Sequence, residues 1–225
     1  MNSIGELIIN TIRLNDIAKE YNIKPLKNEI ANFQRITSDL QDRILLARMV
    51  PVGQIFNKYP RIIRDLSRKF NKKVNFDITG SDIELDRVIL DEIDEPLIHL
   101  LRNAVDHGIE RPEQRKKKGK EPKANIALRA RRQKNRVIIE VSDDGSGLDI
   151  EKIQQKALNN NVVTEEKLGE MSKADIFMLI CRPGFSTSDE VTDISGRGVG
   201  MDVVKSKIES LNGVLNITSE REKGT

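Results

Sequence analysis

The residues with the clearest potential for chemistry are two histidines and an asparagine in the segment HLLRNAVDHGIE, residues 99–110. His99 and His107 are the only histidines of the chain, and Asn103 stands midway between them. On an α-helix, the spacing i, i+4, i+8 places the three side chains in one polar row beside an apolar side of Leu, Ala and Val. Asn and His form helices less readily than the Lys, Glu and Gln of a solvated face, so the row favours a functional site.

Two other interpretations of this row stay open from the helix alone. An ordinary amphipathic helix could carry two incidental histidines on its outer side. A zinc ion could also bind side chains spaced by four residues, although the row itself supplies only His, Asn and His.

Two glycine-containing segments give further evidence for a functional site. Residues 143–147, DDGSG, follow a strand-like segment, and residues 196–201, GRGVGM, open a helix. Glycines before a helix N-terminus let backbone N–H groups approach phosphate oxygens. Either segment alone is weak evidence, because it could be a tight turn. The second is not a Rossmann fingerprint, since no strand directly precedes it, and not a Walker loop, since no Gly-Lys-Ser/Thr follows.

These residues must be positioned by helices and strands. The order of the predicted elements indicates an α+β domain with a mixed sheet over residues 51–225. Helices are predicted at 59–70, from 86 to 110 with a break at Asp94-Glu95-Pro96, at 150–159, at 172–180 and from Gly200 to Asn212. Strands are predicted at 73–79, 126–130, 137–141 and from Leu215. The basic run at 115–120 is predicted to be a solvated loop, and 181–198 a polar loop.

Residues 1–50 predict an antiparallel helical hairpin. Apolar residues recur every three or four positions in both helices, and Pro25 fits the first turn of the second helix. The apolar stripe of the second helix is interrupted only by Thr37. One hairpin buries too little surface to be stable, so two chains are expected to form a homodimeric four-helix bundle. Packing against another part of the same chain is the alternative.

Composition bounds the class of protein. Hydrophobic residues make up 37% and charged residues 32%, which is typical of a folded, charge-rich protein. The net charge of +3 is spread along the chain, so no nucleic-acid partner is expected. Cys181 is the single cysteine, so no internal disulfide forms. Without a signal peptide or an apolar run of about 20 residues, no membrane insertion and a cytoplasmic location are expected.

The order of the motifs resembles the GHKL fold, the ATP-binding fold shared by gyrase, Hsp90, histidine kinases and MutL. Six segments resemble the CheA family of chemotaxis histidine kinases more closely: LARMVP, NKYPRIIRDLSRK, PLIHLLRNAVDHGIE, DDGSGLD, PGFST and SGRGVGMDVVK. The resemblance covers essentially the whole chain. It implies a dimerisation hairpin at 1–50, followed at 51–225 by a GHKL-type α/β sandwich with a mixed sheet and an ATP lid. The last strand of that domain is expected to be missing.

The resemblance also implies a role for individual residues in binding ATP and Mg²⁺. Asp143 would accept a hydrogen bond from the adenine amino group, with Asp144 structural, and Asn103 would hold Mg²⁺ through its amide oxygen. His107 would contact phosphate, and Lys152 would either reach the phosphates or lie solvated. The remaining implied nucleotide-binding residues are Gly145 and Gly147 beside the base, Ser186 and Thr187 in the lid around Phe185, and Gly196, Arg197, Gly198, Val199, Gly200 and Met201 at the lid hinge and helix start. The lid glycines could instead serve flexibility alone.

His99 stands where the superfamily's ATPases and many sensor kinases carry Glu, which can activate water. An imidazole there suits a histidine acceptor, so we expect His99 to orient the incoming histidine or accept its proton. With no histidine outside this helix, the acceptor must lie on a separate phosphotransfer domain. The family further implies a CheW-type adaptor, chemoreceptors, and CheY- and CheB-type response regulators as partners.

Two rival functions remain at this stage. An ATPase of the gyrase, MutL or Hsp90 type would release phosphate without an acceptor, but the absence of Glu at position 99 disfavours it. A dimerising scaffold that signals by lid closure would bind nucleotide and transfer nothing.

Overall fold

A computed structural model of the chain describes residues 2–21, 24–183, 185 and 200–225. The chain forms two compact units, Met1–Val50 and Pro51–Thr225. Among the described residues, no helix is long and apolar enough to cross a membrane.

The first unit is the helical hairpin predicted from the apolar repeat. Helix α1 spans Asn2–Glu20 and α2 spans Lys24–Ala47. Thr11 and Thr37 are buried between apolar neighbours, and each hydroxyl donates to the carbonyl four residues earlier, at 2.6 and 2.9 Å. Because these hydroxyls are satisfied within their own helices, Thr37 does not interrupt the packed stripe.

Much of the apolar surface of the hairpin is nevertheless exposed. Ala18 and Ile30 are buried, but twelve large apolar side chains are at least 37% exposed: Leu7, Ile9, Ile12, Leu14, Ile17, Tyr21, Phe33, Ile36, Leu40, Ile44, Leu45 and Leu46. So many exposed apolar side chains on one helical hairpin are typical of an interface with another helical element.

The second unit is built on a mixed sheet, as predicted, and the described part of this sheet has three strands. Strand β2, Val74–Thr79, runs parallel to β4, Ala124–Gln133, and β4 runs antiparallel to β5, Arg136–Asp143. Ile126 of β4 lies opposite Asp143, so the register brings the end of β5 next to the buried centre of the sheet. Two further strands of three residues, β1 (Met49–Pro51) and β3 (Glu84–Asp86), lie outside this sheet.

Eight helices are described in this unit: α3 (Gly53–Phe56), α4 (Tyr59–Lys69), α5 (Arg87–Asn103), α6 (Pro112–Lys117), α7 (Ile150–Asn159), α8 (Glu165–Glu170), α9 (Lys173–Met178) and α10 (Met201–Ser210). A 3₁₀ turn follows α9 at Leu179–Cys181. The capping box predicted at Ser172 and Asp175 is confirmed, because each residue bonds the backbone N–H of the other. Phe185 is buried with Ile153 and Leu179 in an apolar cluster between α7, α9 and the 3₁₀ turn.

Three sequence predictions in this unit are wrong. Helix α5 is not broken at 94–96, because Pro96 is buried within it and Tyr59 donates to Asp94 at 2.8 Å. Residues 214–219 alternate half-buried and exposed positions, as the pattern predicted, but form no ladder in the described structure. A pattern predicts an extended chain, whereas a strand also needs a hydrogen-bonding neighbour.

The third error concerns the basic run at 115–120. Helix α6 extends through Lys117, and Arg115 is only 2% exposed. A solvated loop was predicted because a sequence alone does not show the acidic partners that a buried arginine meets.

Candidate active site

The polar row begins on α5 and continues into a π-helical turn. Residues Ala104–Gly108 form this turn, which the N–H of Ile109 closes by donating to the carbonyl of Ala104 at 2.8 Å. Lys72, from the segment after α4, donates to the Val105 carbonyl at 2.8 Å and also to that of Asp106. A π turn widens a helix locally and is frequent at functional sites.

The π turn alters the row predicted for a regular α-helix. His99 lies on the α-helical part and is half-buried, whereas the His107 side chain is 65% exposed, with Nε2 at 3.7 Å from Asp106 Oδ2. The prediction of one uninterrupted α-helical row through residue 107 is therefore wrong. His107 leaves the α-helical phase because its turn contains one additional residue.

Asn103 faces the start of α10. Its amide nitrogen lies 3.5 Å from the sulfur of Met201, the first residue of that helix, and Gly200 is the N-cap. An ion pair between Lys207 and Glu92 further ties α10 to α5. The structure thus brings two separately predicted motifs, the polar row and the glycine-led helix, to one place.

The electrostatic surroundings of His99 favour its neutral form. Burial lowers the pKa of the imidazole, and the nearby Arg102 guanidinium lowers it further. Asp202 and Glu95 act in the opposite direction without reversing the shift. A neutral ring near pH 7 can accept a proton.

Asp143 is the last residue of β5, and its carboxyl group lies beside Gly108 at the end of the π turn. Its Oδ1 accepts the Gly145 N–H at 2.8 Å, and its own N–H donates to the Thr225 carbonyl at 3.0 Å. Burial raises the pKa of this carboxyl and the neighbouring Asp144 adds to the rise, while the hydrogen bond from Gly145 opposes it. A half-buried carboxylate held by its own loop is a strong acceptor for a ligand N–H group.

Packing against backbone requires glycine in the loop after β5, and the role of these glycines beside a base stays a prediction. A Cβ at Gly145 would lie 2.1 Å from the carbonyl oxygen of Gly108, so a side chain does not fit there. Gly147 has a φ of +67°, and a Cβ there would lie 2.3 Å from the Glu220 oxygen. These two glycines let the loop pack against the π turn and the C-terminal segment.

The roles predicted for Lys152 and for the lid stay predictions. Lys152 is exposed on α7, and its backbone N–H is bound by the N-cap Asp149 at 3.2 Å. Phe185, around which the lid loop is predicted, is buried in the apolar cluster. The predicted residues outside the described ranges are Ser186, Thr187, Gly196, Arg197, Gly198 and Val199.

One residue of the site region was missed entirely in the sequence. Arg115 is buried beside Asp144, with its Nη1 3.1 Å from Oδ1 of that carboxylate. Asp144 also accepts from the backbone and side-chain nitrogens of Asn125, at 3.0 and 2.9 Å. These contacts agree with a structural role for Asp144, whereas the basic run gave no signal that its first member is buried.

The site has groups suited to an adenine nucleotide and to Mg²⁺. Asp143 is an acceptor of the kind that an adenine amino group needs, and a Cβ at Gly108 would crowd it at 3.3 Å. No group of three or more His, Cys, Asp or Glu side chains that could hold a metal occurs in the described part of the chain. Mg²⁺ does not need one, since it commonly takes one or two protein ligands together with phosphates and water.

Comparison with known proteins identifies the family of the chain. Residues 92–225 match the family described as histidine kinase-, DNA gyrase B- and HSP90-like ATPase, and residues 1–47 match the homodimeric domain of signal-transducing histidine kinases. The chain is 48% identical over 225 residues to the chemotaxis protein CheA of Bacillus subtilis, covering 100% of this chain and 34% of that one. It is 44% identical over 222 residues to CheA of Halobacterium salinarum, covering 99% and 33%.

The chain therefore spans about a third of the length of these relatives. A solved histidine kinase domain, from the blue-light activated kinase EL346 of Erythrobacter litoralis, aligns over 100% of this chain and 92% of its own. Its TM-score is 0.43 and its sequence identity 14%.

Proposed function

The chain belongs to the histidine kinase-, DNA gyrase B- and HSP90-like ATPase family, and on that premise we propose that it is the core of a chemotaxis histidine kinase. It transfers the γ-phosphoryl group of ATP to a histidine on a separate phosphotransfer domain. The whole-length similarity to CheA proteins supports this choice within the larger family.

The observation that carries the proposal is the position of His99. The residue is half-buried on α5, one turn before Asn103, and its pKa is lowered by burial. The other histidine, His107, lies in the π turn, so neither can be an acceptor on the hairpin. A kinase that keeps its histidines at the catalytic site must receive its substrate histidine from elsewhere.

The chemistry assigns one step to each group. A ring nitrogen of the incoming histidine attacks the γ-phosphorus, the bond from that phosphorus to the bridging oxygen breaks, and ADP leaves. His99 accepts the proton that the attacking imidazole loses. When bound, Mg²⁺ would neutralise phosphate charge, with the Asn103 amide oxygen as a protein ligand.

Nucleotide recognition rests on the loop after β5. Asp143 accepts the adenine amino group, Gly145 and Gly147 allow the loop to pack, and His107 contacts phosphate. Gly200 and Met201 present the start of α10 to the phosphates. Contributions from Lys152 and from the lid residues Ser186, Thr187 and Gly196 to Val199 remain predictions.

The hairpin at residues 1–50 supplies the homodimer interface. The match to a homodimeric kinase domain and the exposed apolar side chains support this assignment. A CheW-type adaptor, chemoreceptors and CheY- or CheB-type response regulators would be partners of the whole protein, which would then act in the cytoplasm.

The direct test is phosphoryl transfer in trans. The chain is incubated with Mg²⁺, γ-labelled ATP and a CheA-type phosphotransfer domain, with a domain lacking its acceptor histidine as the matched control. Label on the acceptor histidine alone supports the proposal. Release of free phosphate with no labelled protein supports the ATPase function instead, and nucleotide binding without either product supports the scaffold.

A further inference from the structure

Arg115 is the largest fully buried side chain of the described residues, and no step of the proposed reaction uses it. It lies on α6, between the π turn and the sheet in sequence. Burial of an arginine is costly unless its charge is paired and its N–H groups are bound. The contacts that compensate this cost are made with Glu110, Glu121 and Asp144.

The guanidinium group bridges the two segments that carry the site residues. Its Nη1 lies 3.3 Å from Oε2 of Glu110, just after the π turn. The same nitrogen lies 3.1 Å from both the carboxylate and the carbonyl oxygen of Asp144, the residue after Asp143. Its Nε donates to the Glu121 carbonyl at 2.7 Å, which fixes the plane of the group.

Two lysines make further contacts with the residues that Arg115 binds. Lys120 donates to the carbonyls of Asp144 and Gly145 at 3.1 and 2.6 Å, and its Nζ lies 3.3 Å from Glu110 Oε1. Lys118 contacts the same Glu110 oxygen at 3.2 Å. The Glu110 side chain is only 8% exposed, so it is an acidic centre shared by three cations.

We propose that Arg115 is a positioning residue that holds the Asp143 loop against the π turn and thereby determines selectivity for adenine. The inference rests on the proposed function, in which Asp143 accepts the adenine amino group. The guanidinium meets Glu110 and Asp144 through Nη1 and the Glu121 carbonyl through Nε, so its rigid plane fixes these contacts in one orientation. A site holds its selectivity only while the supporting residues fix its geometry to about half an ångström.

The experiment compares ATP and GTP binding by calorimetry with Mg²⁺ present, using the whole chain. Arg115→Met removes the charge and the fork but keeps the apolar stem, and Arg115→Lys keeps the charge without the fork. Lys117→Met, an exposed position on the same helix, is the matched control. We expect Arg115→Met to reduce the preference for ATP over GTP by about tenfold, the size of one lost hydrogen bond to a charged group.

A purely structural role would lower stability without changing the ratio of the two affinities. Arg115→Lys should restore stability more than it restores selectivity, while Lys117→Met should change neither. If a folded Arg115→Met protein keeps the wild-type ratio of ATP affinity to GTP affinity, the role of Arg115 is overturned and the proposed function is not affected. A wild-type protein with no preference for ATP overturns the adenine role of Asp143 and the inference with it.

A second variant keeps the test decisive should Arg115→Met not fold. Asp144 is 36% exposed, so Asp144→Ala removes the bridged carboxylate at a smaller cost in stability. It should lower the ATP to GTP ratio in the same direction. Retention of the wild-type ratio in this variant contradicts the proposal.

Discussion

The carbonyl oxygen of Gly108 occupies the space where Gly145 would carry a Cβ, at 2.1 Å from that position. The same oxygen accepts the backbone N–H of Ser146 at 2.9 Å. The end of the π turn and the loop after β5 are therefore in direct contact. Because His99 and Asn103 lead into the first and Asp143 begins the second, this contact sets the distance between the two halves of the site.

Gly145→Ala should disrupt both the fold and nucleotide binding. The new methyl group must displace backbone, which we expect to cost about 1–3 kcal/mol of unfolding free energy. ATP affinity should fall at least about tenfold, since a shift of the loop moves Asp143. Urea unfolding and calorimetry measure the two effects.

Gly169→Ala is the control for that substitution. Gly169 lies on α8 with nothing within 4 Å of an added Cβ, so the variant should be at least as stable as the wild type. Equal stability of the Gly145 and Gly169 variants would contradict the close approach of Gly145 to Gly108.

Asp143→Asn should weaken ATP binding by about tenfold or more, because a neutral amide is a poorer acceptor and can present its nitrogen to the adenine amino group. Its preference for ATP over GTP should fall as well. Calorimetric titration with both nucleotides at neutral pH makes the comparison. A variant that keeps the wild-type ratio would remove Asp143 from base recognition.

The same substitution should stabilise the protein without nucleotide. Burial raises the pKa of Asp143 above its usual 3.8, so the folded state binds this proton more tightly than the unfolded state. The ionised group therefore destabilises the fold at neutral pH, and this effect disappears as pH falls through the raised pKa. Urea unfolding of the wild type and of Asp143→Asn should show the variant more stable at pH 7. The difference between their unfolding free energies should become smaller as the pH is lowered toward 3.8. A difference in unfolding free energy that does not change with pH would contradict ionisation of Asp143 as its cause.

Local signals allowed much of the fold to be predicted. The Ser172 capping box, helix α7 and the β4–β5 hairpin each depend on residues close in sequence, and all are found. The π turn was missed because Lys72 stabilises it from 33 residues away. Arg115 was missed for the same reason, since it binds the carbonyl of Asp144, 29 residues later. The sequence predicts which residue types could form the site, whereas the contacts that orient them are long-range and have no local signal.

His99→Gln should leave ATP binding within about twofold of the wild type and slow phosphoryl transfer roughly 100- to 10,000-fold, the range for loss of a general base. Single-turnover transfer to a phosphotransfer domain measures the rate. Asn103→Ala is the informative comparison, because it should weaken binding of Mg²⁺ with ATP as well. Equal loss of ATP affinity in both variants would contradict the role assigned to His99.

The pH dependence of transfer offers a second test of His99. Its pKa is lowered from 6.5, so the neutral base persists at neutral pH and is lost only as pH falls through the lowered value. The ratio of wild-type to His99→Gln rates should therefore be constant above pH 6.5 and fall only at the lower pH where His99 becomes protonated. Taking the ratio removes titration of the acceptor histidine, which both enzymes share. A ratio that does not change with pH would exclude proton acceptance by His99.

Leu40→Asp should convert a dimer into a monomer. Leu40 is 43% exposed on the apolar stripe of α2, next to Phe33 and Ile44, which are 43% and 37% exposed. A two-fold symmetric bundle would bury two copies of Leu40, each worth about 1.5–3 kcal/mol, and a buried carboxylate would add its desolvation cost.

Ser38→Asp is the control. Side chains two positions apart on an α-helix point about 200° apart, so Ser38 faces away from the apolar stripe that contains Leu40. Sedimentation analysis should show dissociation at least about 1,000-fold easier for Leu40→Asp and unchanged for Ser38→Asp. Dimers of equal strength for both variants would place the interface on a different face of the hairpin.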